Sequence, residues 1–149
     1  MRKQRAITRN VASTGGKKVK GRKRHIATDI MGNLLIIKVH AANIHDTKAG
    51  CYVYQSAKWK YPSIKGGSAD AGYRGTFVEF VKEKYGETID ISEKIKPNEW
   101  EILPKRWRVE RTFSWANWSR ILSKDYEIKP IYQENDFMIS HLHTLLRRY

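Results

Sequence analysis

The spacing of apolar residues changes repeatedly along this chain, and each change marks an element. His25-Ile26-Ala27-Thr28-Asp29-Ile30 reads as a short strand and Met31-Gly32-Asn33 as a tight turn. The run Leu34-Leu35-Ile36-Ile37-Lys38-Val39-His40 is continuous and rich in β-branched residues. It is the expected second strand of a hairpin, buried on both faces. Ala42-Asn43-Ile44-His45-Asp46 ends it, and Asp46 or Thr47 is placed to cap a helix to about Trp59, stopped by Pro62. Ile64 to Asp70 reads as a short strand that breaks at Gly72. Thr76-Phe77-Val78-Glu79 fits a capping box, opening a helix through Phe77, Phe80, Val81 and Lys84 that Gly86 closes. Glu87 to Ile95 alternates as a strand does, and Pro97 to Pro104 is a connector.

The longest helical pattern runs from Lys105 to about Ser123. At 100° per residue, Val109, Phe113 and Ala116 share one apolar face. Trp107, Trp115, Trp118, Ile121 and Leu122 share a second. Glu110, Ser114 and Asn117 form a narrow polar stripe between them, so Glu110 is expected on a mostly buried helix. After Pro130 a last amphipathic helix is expected to bury Met138, Leu142, Leu145 and Leu146. Hairpin, helix, strand, helix, strand, helix is the order of an α/β domain with a mixed sheet.

Composition narrows the partner. The chain has 149 residues, 40% of them hydrophobic, and five tryptophans, enough for one folded domain. Its net charge of +14 exceeds what solubility needs and points to a polyanion. Cys51 is the only cysteine, which excludes an internal disulfide and a cysteine-built zinc site. No apolar run reaches the length of a membrane span. The basic start has no apolar core behind it, so it is no signal peptide, and a cytoplasmic, nucleoid-associated location is expected. Residues 1–16, with Ser13-Thr14-Gly15-Gly16, read as a basic flexible tail, and 17–149 as the domain.

Against this basic background two acids stand out. Asp70 lies in Ser-Ala-Asp-Ala-Gly-Tyr-Arg-Gly (68–75), where a strand breaks into a glycine turn. Glu110 lies in Arg-Trp-Arg-Val-Glu-Arg-Thr-Phe-Ser-Trp (106–115). A carboxylate at a strand end and another on a late helix is an arrangement that holds divalent ions for phosphoryl transfer. The run Lys17, Lys18, Lys20, Arg22, Lys23, Arg24 leads toward the same edge and is expected to meet phosphates. Arg74, Arg108, Arg111 and Arg120 are further phosphate candidates, with helix solvation or ion pairing an equal alternative for the last three. Trp107, Trp115 and Trp118 fit core packing better than base stacking. The histidines form no metal pattern. Asn43 and Asp46 are accessory candidates on the same edge as Asp70, although Asp46 fits a helix cap better and Asp29 a turn residue better.

Four blocks carry a family likeness: GGKKVKGRKRHIATDIMGNLL, HAANIHD, SADAGYRG and LPKRWRVERTFSWANWSRILSKDYE. With the closing MISHLHTLLRRY, the chain resembles bacterial insertion-sequence transposases of the DDE class from Gly15 to Tyr149. The resemblance implies a ribonuclease H-like mixed sheet flanked by helices. It implies Mg²⁺ (or Mn²⁺) bound by Asp70 and Glu110, as the second and last of three catalytic acids, with transposon ends and target DNA as substrate. The first acid belongs to a strand upstream of the GGKKVKGRKRH block, yet Met1 to Thr14 contain no acidic residue. That strand is expected to be missing and the chain weak or inactive alone, completed by a homo-oligomer or an upstream reading-frame product. Asp46 is the better substitute acid, but about two strands from Asp70. The rival readings are a non-catalytic DNA-binding remnant or regulator and, less well supported, an RNA-binding or ribosomal accessory protein.

Overall fold

The computed structural model describes residues 12–13, 20–92 and 104–148. The strands are β1 (Ala12–Ser13), β2 (Lys20–Thr28), β3 (Leu34–Ala41), β4 (Gly66–Asp70) and β5 (Thr88–Ser92). The helices are α1 (Asp46–Lys60), α2 (Thr76–Tyr85), α3 (Pro104–Asn117) and α4 (Pro130–Leu146). Short 3-10 turns at Ala71–Tyr73 and Arg120–Leu122 follow β4 and α3.

The hairpin forms as expected, but β3 buries only Ile37 and Val39 and leaves Lys38 between them partly exposed, so it is not buried on both faces. Its turn has a clear cause. Gly32 has φ +81°, a left-handed conformation that suits glycine. Asp29 is the turn residue: its carboxylate accepts the backbone N–H groups of Met31 and Asn33, both at 2.8 Å. The antiparallel pairing runs from Arg22 opposite Ala41 to Thr28 opposite Leu34, with an irregularity at Ala27/Thr28. β2 begins at Lys20, earlier than the apolar pattern indicates, because the basic residues find partners on both faces. Within the expected tail, Ala12–Ser13 pair with Lys20 and Gly21; the rest of that segment lies outside the described residues, as do Glu93 to Ile95 and most of the connector.

The described strands do not form one mixed sheet. β1, β2 and β3 make an antiparallel sheet, and β4 with β5 make a separate parallel pair. Two cores follow. Ile37, Val39, Ala116, Leu122 and Phe137 pack between the hairpin and α3 and α4. Tyr54, Phe77, Val81 and Ile89 pack between α1, α2 and β5. Helix α1 joins the halves, touching the hairpin, α2 and the 71–73 turn.

Several helix readings need correction. His45, whose side chain accepts from Thr47 N, caps α1 in place of Asp46 or Thr47. Gly75 occupies the N-cap of α2 with no side-chain bond, so Thr76 and Glu79 form no capping box. Helix α3 stops at Asn117, where the amides of Trp118 and Ser119 bond three residues back and tighten the chain. Trp107 and Trp118 are exposed and the Glu110, Ser114, Asn117 stripe faces solvent, so α3 is not buried on two sides.

Helix α4 turns an unexpected face inward. Its buried residues are Gln133, Glu134, Phe137, Ser140 and His141, while Met138, Leu142 and Leu146 are exposed and Leu145 is half-buried. The reason is the edge of β3. Glu134 accepts the Val39 amide at 2.9 Å and His141 Nε2 accepts the Leu34 amide at 3.0 Å. A strand edge covered by a helix needs acceptors for its amides, and leucines supply none.

Candidate functional site

The site begins where β4 ends. Asp70 leaves the strand in extended conformation and caps the 71–73 turn, its carboxylate accepting the Ala71 amide at 2.7 Å. The carboxylate is exposed, and Arg74 follows the turn, also exposed. Tyr73 points inward. Its ring lies so close to α1 that a Cβ on Gly50 would sit 2.8 Å from Tyr73 Cδ1, so only glycine fits there.

Asp46 borders the same turn. A Cβ on Gly72 would lie 3.5 Å from Asp46 Oδ2. The sequence reading put Asp46 about two strands away; α1 packs on both the hairpin and the turn and carries its first residue across. Asp46 Oδ1 accepts from Lys23 Nζ at 2.7 Å, and Lys23 also donates to the Ile44 carbonyl at 3.3 Å. Asn43 is exposed in the turn before α1.

Glu110 is placed by the way α3 hangs from the hairpin. The fully buried Thr112 donates from Oγ1 to the Gly32 carbonyl at 2.6 Å. Arg111 donates to the Met31 carbonyl, with its guanidinium 4.5 Å from the Trp107 ring centre and 4.8 Å from that of Trp115. These contacts take one side of the helix; Glu110 lies on the exposed side. Helix α3 also touches β4, so the elements carrying Glu110 and Asp70 are neighbours.

The cationic candidates divide sharply. Arg22 donates to Asp125 Oδ1 at 3.1 Å, to the Glu127 carbonyl at 2.8 Å and to the Ile128 carbonyl, with 2% of its side chain exposed. Arg24 donates to the Leu122 carbonyl at 3.2 Å, and burial lowers its pKa despite Asp125 nearby. Arg111 is held as described. Arg22, Arg24 and Arg111 thus each have partners within the protein, and Lys23 pairs with Asp46. Arg74 and Arg120 are exposed and Arg108 is half-buried. Lys17, Lys18 and the Lys20 side chain lie outside the described residues.

One cluster had no signal in the sequence. His25 Nδ1 bonds the Tyr73 hydroxyl, and His25 stacks on His40 with ring centres 4.5 Å apart. His25 and Tyr73 are far apart in the chain, so no local spacing could link them. Burial, then His40, lowers the His25 pKa to about 4, with Lys23 adding and Asp46 opposing. Burial, then Asp46 and Asp70, pushes the Tyr73 hydroxyl pKa up. A neutral imidazole and a protonated phenol therefore share this hydrogen bond.

Asp70 and Glu110 offer only oxygen donors, which suit a hard divalent cation that keeps several waters. The donors fit in kind. No group of three or more His, Cys, Asp or Glu among the described residues is placed to hold a metal ion. No helix among them is long and apolar enough to cross a membrane. A family model described as a transposase DDE domain matches residues 2–144. No curated protein and no solved structure matches the chain.

Proposed function

The chain belongs to the transposase DDE domain family, and we propose that its chemistry is Mg²⁺- or Mn²⁺-dependent DNA strand cleavage and strand transfer on a ribonuclease H-like scaffold. The observation that carries this reading is the contact between β4, which ends in Asp70, and α3, which carries Glu110, within a family match over nearly the whole chain. Asp70 and Glu110 are the residues that would hold the ions. Bound there, such ions activate the attacking oxygen and stabilise the leaving one. The protein's own part is to fix the two carboxylates and to seat phosphates on Arg74, Arg108 and Arg120. Those contacts set DNA register without reading sequence.

Two carboxylates make an incomplete site, so the chain alone is weak or inactive, and its third acid comes from another segment or another copy. Asp46, the substitute acid, is paired with Lys23 at 2.7 Å. Millimolar Mn²⁺ is expected to raise the melting temperature by a few degrees, the effect of about ten times Kd. Asp70→Ala with Glu110→Ala should abolish the rise. In a nicking assay the chain should show no cleavage above an Asp70→Asn, Glu110→Gln control. Absence of any metal-dependent stabilisation would refute the ion site, and metal-dependent nicking would refute the incompleteness.

A second reading, a DNA-binding remnant or regulator without catalysis, is favoured by the net charge of +14 and the exposure of Arg74 and Arg120. It requires duplex binding that survives loss of both carboxylates. Under either reading Arg120→Ala should leave stability unchanged. It should weaken binding across sequences alike and reduce the slope of log K against log salt by about 1. An unchanged slope would remove Arg120 from the interface.

A further inference from the structure

We propose that Tyr73 is a positioning residue for Asp70: its bond to His25 anchors the 71–73 turn to the hairpin and so sets where the Asp70 carboxylate stands. This inference rests on the reading of Asp70 as an ion ligand. The observations come from both ends of the turn. At its start the Asp70 backbone stands opposite Ser92 at the last position of the β4–β5 ladder, and its carboxylate bonds the Ala71 amide, on a strand of small residues, Gly-Gly-Ser-Ala-Asp. Such a strand offers little side-chain packing to fix its end.

At its end Tyr73 is held from three sides. Its ring lies against Gly50 on α1 and edge-on to Phe77, with centroids 5.9 Å apart. Its hydroxyl reaches His25 in the middle of β2. Among the described residues the parallel β4–β5 pair and the hairpin share no strand pairing. The Tyr73–His25 bond therefore spans the two sheets beside Asp70, within one short turn of that carboxylate.

The partner is built for this task. His25 is buried and stacked on His40, so its ring cannot rotate freely and Nδ1 stays aimed at the Tyr73 hydroxyl. Tyr73 keeps its proton because burial and the two nearby carboxylates oppose ionisation. The bond is thus maintained throughout the neutral range.

The test is Tyr73→Phe in the full chain, which keeps the ring and its packing and removes only the hydroxyl. Three NMR readouts are compared with wild type: the Ala71 amide, which reports its bond to Asp70; the Asp70 carboxyl carbon; and paramagnetic broadening at Asp70 by Mn²⁺. Positioning predicts a folded protein in which the Ala71 amide exchanges faster, the Asp70 carboxyl resonance moves, and the Mn²⁺ titration midpoint rises about fivefold, the scale of one lost hydrogen bond. His25→Gln, which retains an acceptor, should stay near wild type, whereas His25→Leu should reproduce Tyr73→Phe. That pair reads the same bond from the other side should Tyr73→Phe fail to fold.

Unchanged Ala71 and Asp70 resonances in Tyr73→Phe, or His25→Leu matching wild type, would overturn the inference. Absence of Mn²⁺ broadening in the wild type would instead count against the ion site alone, because the Ala71 and Asp70 resonances still decide the positioning role.

Discussion

Replacing Arg22 with methionine is expected to destabilise the protein by about 3 kcal/mol, the cost of removing one partner from a buried polar cluster. The guanidinium serves three acceptors: Asp125 and the carbonyls of Glu127 and Ile128. Methionine fills much of the volume but donates nothing. Asp125 would retain its bond from Gln133 at 3.2 Å, and the two carbonyls would lose this donor. The segment 125–128 leads into α4, so the loss loosens the attachment of α4 to β2. For a domain of this size, 3 kcal/mol corresponds to roughly 6–12 °C in Tm. The salt dependence of DNA binding, measured well below Tm, should not change, because these three acceptors engage the buried guanidinium. A variant of normal stability whose salt slope falls by about 1 would return Arg22 to the DNA-binding surface.

Lowering the pH from 7 to 4 should remove about 3 kcal/mol through His25 alone, taking 1.36 kcal/mol for each of the roughly 2.5 pH units between the free and folded values. The sign follows from which state binds the proton. In the unfolded chain His25 protonates near pH 6.5; in the fold it resists until about 4. Between these values the unfolded state gains the proton and is favoured. The loss therefore begins near pH 6.5, accumulates to about 4, and then levels. His141 acts in the same direction, its pKa lowered by burial and by Arg148 against the opposing charge of Asp29. Glu87 differs, because hydrogen bonds from Lys58 and Tyr54 lower its pKa and it weakens the fold only as carboxylates protonate. Denaturant unfolding at pH 7, 6, 5 and 4.5 would trace the window, and His25→Gln should flatten it, leaving the His141 part. A flat profile between pH 6.5 and 4.5 in the wild type would show that His25 is not buried as a neutral base.

These expectations depend on features that the sequence carried to different degrees. The hairpin was legible because Asp29, Gly32 and the β-branched run 34–40 encode strand, turn and strand locally. The ends of α1 and α2 were legible to within a residue or two, from Pro62 and Gly86. Asp70 and Glu110 stood out by type and setting, and their elements prove to be in contact. The partners of the basic run within the protein were not legible, because local sequence shows a charge and not its partner. Arg22 meets Asp125 across most of the chain, and Arg24 meets the Leu122 carbonyl in the same region.

By itself the sequence determined the order and approximate limits of the elements, the strongly cationic character and the two acidic candidates. All of these follow from spacing, capping, turn chemistry and composition within short windows. The tertiary structure alone decided which face of α4 turns inward, that Asp46 lies against the turn after Asp70, that Arg22 and Arg111 bond distant segments, and that His25 meets Tyr73. Each of those outcomes is a pairing between distant segments. Burial sets its value by removing water as the alternative partner, so an edge amide recruits Glu134 where a leucine was expected, and a histidine gives up its charge to share a hydrogen bond with a tyrosine.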